Sequence, residues 1–311
     1  MTTANEGCIK NIWLPSLRDD GQYKGDVLIV DYEPAINVMP CNHLKSFSKE
    51  YVDYLSVQSN VIYRKVSHKY NCIPSDRIFQ FYNVLKTLKG YDTVIITDGN
   101  DIEFFKPIQP LIDYCKPCIR YVAETEKNSK LRSIFGHVYN VLLPEYYEAV
   151  KDKPIINAGV FGGPYDQIML LLSKMIDNFE YSSAFGSEQI TLNYLVYSAR
   201  IHALPLDATW NYTMVDYRRA NYCFTDRPMG KEDGKDIEIA ILHSNSYVPY
   251  IGKYNGNTRI RKVDGVLINP FDERFVLHNS KWIFPPVYNV GTSAKVVQSP
   301  PRKKNPRLTF P

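Results

Sequence analysis

Short hydrophobic runs alternate with segments of helical periodicity along the first half of the chain. The runs have the length of single buried strands and cover 27–30, 61–63 and Thr93–Thr97. The helical patterns between them cover about 44–55 and 75–88, the second with Ser75 as its predicted N-cap. Parallel strands are buried on both faces and are joined by crossover helices. The alternation therefore predicts an α/β fold with a mixed, mainly parallel central sheet flanked by helices.

The second half of the chain continues the alternation less regularly. One strand is predicted at 155–161, leading into a Gly162-Gly163-Pro164 turn, and another at 237–242, ending at His243. Helices are predicted at 165–179 and 188–197. The pattern contains no repeat and no linker before about residue 275. We expect one domain over 1–275 and a Pro/Lys-rich extension over 276–311 that is partly disordered or packed on the domain.

Composition and charge narrow the classes of partner. The 311 residues are 44% hydrophobic and 23% charged, which is typical of a globular protein with a large core. The net charge is +4, and much of it lies in the basic segment 300–307, so the rest of the chain does not predict a nucleic-acid-binding surface. The apolar runs are too short to span a membrane, and the first ten residues lack the apolar core of a signal peptide. We expect a cytoplasmic protein whose cysteines are reduced.

The most informative segment is the hydrophobic run Thr93–Thr97 and the polar residues that follow it. The run leads directly into Asp98-Gly99-Asn100-Asp101. Ligands of open α/β sheets bind at the carboxyl ends of the strands, and two carboxylates across a tight turn can converge on one hard divalent cation. A purely structural polar turn is the alternative, since Asp, Gly and Asn are common in turns.

Three later segments also place polar residues beside hydrophobic ones. The Asn157-Ala158-Gly159 segment has small residues that let a backbone approach a ligand, Glu188 and Gln189 open a helix, and His243 ends a strand. Each has a simpler explanation when it is taken alone: a β-turn, an acid that complements the helix dipole, and a structural histidine.

The order of these four segments resembles that of the GT-A fold glycosyltransferases. It is similar to that of the glycosyltransferase domain of procollagen lysyl hydroxylases and of the glycogenin-like retaining transferases. The lysyl hydroxylase domain is similar in its DxxD and in the small-Asn-small run after a late histidine, here Ser244-Asn245-Ser246. The glycogenin-like group has Asp where Glu188 stands, and its glycine spacing after the late histidine is absent here. The resemblance implies a Rossmann-like single domain that transfers sugar from a nucleoside diphosphate sugar.

The resemblance also implies a role for each matching residue. Asp98, Asp101 and His243 would hold Mn²⁺ or Mg²⁺. Glu188 and Gln189 would lie at the sugar and the reacting face. The remaining expected contacts are all to the donor: Val30, Asp31 and Arg77 to the nucleoside, Asn157, Ala158 and Gly159 to the sugar, and Lys253 to the diphosphate.

Several alternatives stay open at this point. The donor is most commonly a UDP-sugar in such enzymes, and the acceptor is a glycan, a protein or a lipid. The likeness favours retention of configuration, but an inverting enzyme would use Glu188 as its general base. A nucleotidyltransferase would show a Gly-rich basic loop after the first strand, where this chain has the acidic segment Asp31-Tyr32-Glu33-Pro34. A nucleotide-sugar-binding relative without catalysis is the remaining option.

Overall fold

The computed structural model describes most of the first 243 residues and four short strands beyond them. The described residues are 1–4, 6–33, 46–70, 72–129, 144–179, 186–213, 229–232, 235–243, 261–263, 266–268, 276–278 and 281–283. Lys253 and the first part of the predicted helix at 44–55 lie outside these ranges.

Helices and strands alternate in the described part of the chain. The helices are α1 (Glu6–Cys8), a π-helical turn (Ile9–Trp13), α2 (Leu14–Asp19), α3 (Lys49–Ser56), α4 (Ile73–Thr87), α5 (Gln109–Cys115), α6 (Pro144–Val150), α7 (Tyr165–Phe179), α8 (Ser187–Tyr197) and a 3-10 turn (Ala208–Trp210). The strands are β1 (Val27–Tyr32), β2 (Val61–Val66), β3 (Thr93–Thr97), β4 (Ile102–Phe104), β5 (Ile119–Lys127), β6 (Pro154–Pro164), β7 (Ala203–Leu206), β8 (Tyr212–Thr213), β9 (Met229–Glu232), β10 (Lys235–Glu238), β11 (Ile241–His243), β12 (Arg261–Val263), β13 (Val266–Ile268), β14 (Val276–His278) and β15 (Lys281–Ile283). The fold is α/β with mixed sheets, as the alternation predicts.

The central strands form a parallel pair, β1 and β2, and a four-stranded sheet in the order β3-β6-β5-β7. The backbone of Met1 and Thr2 lies between them: Thr2 N–H donates to Leu28 O at 3.0 Å, and Thr97 N–H donates to Met1 O at 3.0 Å. The prediction of a mainly parallel sheet is wrong for the four-stranded part. Strand β6 runs antiparallel to both β3 and β5, and only β5 and β7 are parallel there. A buried strand is equally hydrophobic in either direction, so the pattern does not reveal this.

Helices cover both faces of the central strands. Leu28 and Val30 of β1 pack in the cluster formed with α4, α7 and α8. Val27 and Ile29 of the same strand pack in the cluster formed with α2, α3 and α5. Alternate β1 side chains therefore enter opposite cores, which explains the continuous hydrophobic run. Among the described residues, no helix is long and apolar enough to cross a membrane.

Helix boundaries follow the sequence prediction closely, with one correction. Helix α4 begins at Ile73 with Cys72 as its N-cap, so Ser75 is a buried residue of the first turn and not the cap. Pro74 explains the early start, because proline is tolerated in the first turn, where its missing N–H costs no hydrogen bond. Gly90 has a φ of +86° just beyond the helix, in the left-handed region that glycine favours.

The predicted Gly162-Gly163-Pro164 turn is also corrected. All three residues belong to β6, and α7 follows directly at Tyr165. A Cβ on Gly162 would lie 2.9 Å from Ile95 Cγ1, and one on Gly163 would lie 2.8 Å from Ile119 Cγ1. The two glycines therefore allow close packing of β6 against its neighbouring strands, and they form no turn.

The late hydrophobic run contains two strands instead of the single predicted one. Strand β10 ends at Glu238, and β11 begins at Ile241. Ile239 and Ala240 are fully buried between them, so hydrophobicity alone does not mark the break. Strand β11 pairs antiparallel with β4 and parallel with β8, while β10 pairs with β9.

Four short strands extend across the predicted domain boundary. Strands β12 to β15 form an antiparallel sheet in sequence order. Ile268 of β13 pairs with Val276 of β14. The boundary predicted near residue 275 therefore falls between two paired strands.

Candidate metal centre

Two strand pairings bring Asp98, Asp101 and His243 together. Asp98 directly follows β3, and its N–H donates to Gly159 O of β6 at 2.7 Å. Asp101 directly precedes β4, and His243 ends β11, where it pairs with Ile102. The antiparallel register of β4 and β11 therefore places the histidine next to the second carboxylate.

The three side chains form a compact cluster with nitrogen and oxygen donors. His243 Nε2 lies 3.3 Å from Asp98 Oδ2 and 3.6 Å from Asp101 Oδ2. One ligand atom from each residue lies within 4.8 Å of the other two. The His243 side chain is 3% exposed, whereas those of Asp98 and Asp101 are 22% and 10% exposed, so the carboxylates form the solvent side of the cluster. Carboxylate and imidazole ligands suit Mn²⁺, and two carboxylates also suit Mg²⁺.

His243 is held against β6 by a close backbone approach. A Cβ built on Gly159 would lie 2.1 Å from His243 Cε1. Burial opposes protonation of the ring, but Asp101 and then Asp98 outweigh it and raise the pKa of His243 to about 10. Without a cation, the protonated ring therefore pairs with both carboxylates. The resemblance implied that Gly159 lines a sugar pocket, and the group that approaches it here is the histidine.

Arg77 lies at the same cluster. It belongs to the first turns of α4, is buried, and forms an ion pair with Asp98 Oδ1. Burial by itself would raise the pKa of Asp98, but Arg77 and then His243 outweigh it and hold that pKa well below its usual range. The two oxygens of Asp98 thus have different partners, Arg77 on one side and His243 on the other. Arg77 was expected to contact a nucleoside, and its observed partner is the carboxylate.

Glu188 is a second acid near Arg77. It lies in the first turn of α8, is buried, and its Oε2 has no hydrogen-bond partner among the described residues. Burial raises the pKa of Glu188 to about 7, and the positive charge of Arg77 only partly opposes this effect. A buried carboxyl with a free oxygen and a pKa near neutrality has the properties of a catalytic acid or base. Gln189 follows it and is half-buried, with its backbone carbonyl accepting from Asn193 Nδ2.

Asn157 and Ala158 have structural surroundings. Asn157 Nδ2 donates to Glu124 Oε1 at 2.8 Å, and its Oδ1 accepts from Gly159 N–H at 2.7 Å. The same Oδ1 accepts from Asn211 Nδ2 at 3.2 Å. Ala158 lies in the hydrophobic core. The amide and the methyl group therefore have protein partners here. The expected contact of these two side chains with a sugar stays a prediction.

Val30 and Asp31 are also explained by the fold. Val30 is fully buried in the core, and its N–H donates to Thr2 O at 3.0 Å. Asp31 Oδ2 accepts from Tyr63 OH at 2.7 Å and from Phe47 N–H at 3.2 Å. A nucleoside contact at either residue stays a prediction.

Asn211 lies beside His243 and was not among the residues predicted from the sequence. Its Oδ1 lies 3.1 Å from His243 Nδ1, and the residue is fully buried just after the 3-10 turn Ala208–Trp210. The only sequence signal is the Asn211-Tyr212-Thr213 triplet, which has the form of a glycosylation site. Asn211 and Thr213 are both fully buried, so the triplet has a structural role in the folded chain.

Comparisons with known proteins do not assign this chain to a family, so a functional proposal depends on the chemistry of the site. No protein-family model matches the chain, and a search of curated proteins finds no match. The Asp98, Asp101 and His243 cluster, with Arg77 and Glu188 beside it, is therefore the basis for a functional proposal.

Proposed function

We propose that this chain is a metal-dependent glycosyltransferase of the GT-A type, which moves a sugar from a nucleoside diphosphate sugar to a glycan, protein or lipid acceptor. The observation that carries the proposal is the convergence of Asp98, Asp101 and His243 at the carboxyl end of β3. These residues come from two distant segments of the chain, and the resemblance of the sequence motifs implies the same three ligands. A UDP-sugar is the first donor to test.

The donor set fits Mn²⁺ or Mg²⁺. The carboxylates form the exposed side of the cluster, so an ion held there retains coordination positions for a diphosphate. Such an ion would neutralise the charge that develops on the leaving diphosphate. Asp98, Asp101 and His243 Nε2 would hold the ion, and Arg77 would remain paired with the other oxygen of Asp98.

Glu188 supports two different stereochemical courses. In an inverting reaction its carboxylate would take the proton of the acceptor hydroxyl. In a retaining reaction the leaving phosphate would take that proton, and Glu188 would stabilise positive charge on the sugar. Its buried position and its pKa of about 7 suit the first role above neutral pH and allow the second. We favour retention because the motifs resemble those of retaining transferases, and the anomeric configuration of the product, measured by NMR, distinguishes the two courses.

The function is tested by nucleotide release. The protein is incubated with a panel of UDP-, GDP- and dTDP-sugars, with Mn²⁺ or with chelator, and free nucleotide is measured. We expect turnover of at least one donor with Mn²⁺ only. Asp101→Asn should abolish it, whereas Asp113→Asn, which changes an exposed carboxylate paired with Lys116, should not.

Other outcomes of this assay separate the alternatives. Metal-independent turnover would contradict the proposed centre. If no donor turns over, calorimetry with UDP and Mn²⁺ decides the matter: binding identifies a nucleotide-sugar-binding relative without catalysis, and no binding contradicts the proposal altogether.

A further inference from the structure

We propose that Asn211 is a positioning residue that fixes the tautomer of His243, so that Nε2 is the atom available to a metal ion. The inference rests on the metal site of the proposed function. It starts from a chain of buried hydrogen bonds that connects Glu124, Asn157, Asn211 and the histidine ring. All four residues are buried, so water does not substitute freely for any of these partners.

The direction of this chain is set at Asn157. Its Nδ2 faces the Glu124 carboxylate, and its Oδ1 faces the backbone N–H of Gly159. Reversing the amide would place an oxygen against a carboxylate and an NH₂ group against an N–H, so two independent neighbours exclude the reversed orientation. Asn157 therefore presents an oxygen to Asn211.

Donor and acceptor chemistry then sets the orientation of Asn211 and of the His243 ring. An oxygen on Asn157 requires the Nδ2 group of Asn211 as its donor, and this turns Asn211 Oδ1 toward His243. Because Asn211 Oδ1 is only an acceptor, the ring nitrogen facing it must carry a hydrogen. The neutral ring is thus the Nδ1–H tautomer, and the lone pair on Nε2 points toward Asp98 and Asp101.

The position of the ring is fixed independently. The backbone at Gly159 leaves no room for movement toward β6, since even a Cβ there would lie 2.6 Å from His243 Nδ1. A ligating histidine whose second nitrogen donates to a fixed acceptor is oriented by that bond, and loss of such a partner typically weakens metal affinity about 10- to 100-fold.

The test measures Mn²⁺ affinity without any nucleotide, by electron paramagnetic resonance titration. Asn211→Ala is expected to weaken binding about 10- to 100-fold. Asn211→Asp keeps an acceptor for Nδ1–H and is expected to restore affinity close to that of the unchanged protein, although the new carboxylate faces Asn157 Oδ1 and lowers stability.

Asn193→Ala is the matched control. Asn193 is another fully buried asparagine, and it bonds to both backbone groups of Ile156 without touching the histidine. This variant should lose stability and keep its Mn²⁺ affinity. Equal weakening in Asn193→Ala and Asn211→Ala would show general loosening and overturn the inference, as would unchanged affinity in a folded Asn211→Ala.

A spectroscopic measurement on the unchanged protein covers the case in which Asn211→Ala does not fold. In the Co²⁺ form, proton NMR should show one strongly shifted, slowly exchanging N–H signal from the coordinated ring. Its absence, or coordination through Nδ1, would overturn the inference. Failure to bind any divalent cation would overturn the metal site and the proposed function together, whereas metal binding without sugar transfer would refute only the proposed reaction.

Discussion

Gly159→Ala gives the most direct test of how the candidate metal centre is built. The added Cβ would lie 2.1 Å from His243 Cε1, 2.6 Å from its Nδ1 and 2.8 Å from Asn157 Oδ1. Carbon atoms in contact are separated by about 3.5 Å or more, so the ring would have to move by roughly 1.5 Å. Strand β6 cannot retreat easily, because it pairs on both sides with β3 and β5.

A movement of this size is large compared with what a metal site tolerates. The separations of the ring from Asn211, Asp98 and Asp101 are 3.1, 3.3 and 3.6 Å. Ligand distances in working sites vary by only about 0.2 Å. We therefore expect Gly159→Ala to weaken Mn²⁺ binding by about tenfold or more, with a loss of about 1–3 kcal/mol in the free energy of unfolding from overpacking.

The assay compares Gly159→Ala with Gly163→Ala. A Cβ on Gly163 would lie 2.8 Å from Ile119 Cγ1, so this variant suffers similar overpacking in the same strand away from the histidine. Mn²⁺ titration and urea unfolding are measured for both. We expect both to lose stability and only Gly159→Ala to lose metal affinity. Unchanged Mn²⁺ binding in Gly159→Ala, or equal loss in both, would refute this account of the centre.

Three further predictions concern the surroundings of the site and the fold. Burial raises the pKa of Glu188 from 4.5 to about 7, so the folded state favours the protonated carboxyl; the resulting stability is complete below pH 4.5 and is lost as pH rises through 7. Glu188→Gln should therefore remove a decline on the order of 3 kcal/mol in unfolding free energy between these pH values, measured by urea titration. A pH profile parallel to that of the unchanged protein would contradict this prediction. Arg77→Met removes one cationic partner of Asp98 and leaves its negative charge less balanced, so bound Mn²⁺ would compensate more of that charge. Mn²⁺ should therefore raise the melting temperature more in this variant than in the unchanged protein, and an equal rise would count against the ion pair. Ser48 caps α3 by accepting from Tyr51 N–H, so Ser48→Ala should cost about 1 kcal/mol of stability, and no change in urea unfolding would show that the cap contributes nothing.

Much of the fold could be predicted because local sequence determines it. Helix α7 has the predicted bounds, and β3 does too, because each is a continuous periodic or hydrophobic segment with clear ends. The direction of β6 and the break at Ile239 could not be predicted. Both depend on how distant strands pair, and hydrophobic residues occupy these positions under either arrangement.

The residues of the candidate site could also be predicted only in part. Asp98 directly follows β3, Asp101 directly precedes β4 and His243 ends β11, so the motif order could suggest them. The resemblance implied that Arg77 lies near the nucleoside, and its pairing with Asp98, 21 residues later in the chain, could not be predicted from the sequence. Asn211 was missed because its role exists only through the contacts with Asn157 and His243, and an isolated asparagine after a short turn carries no such signal.

The charges of the site explain how it is both stable and suited to an anionic ligand. Asp98 and Asp101 are matched by Arg77 and by a His243 ring whose raised pKa keeps it protonated at neutral pH. This match lets a folded chain bury two carboxylates, which would otherwise be costly. A divalent cation binds only a neutral ring, so it replaces one positive charge with two. A divalent ion, Arg77 and the two carboxylates would then sum to a net charge of about +1, and a diphosphate is the kind of group that such an excess attracts.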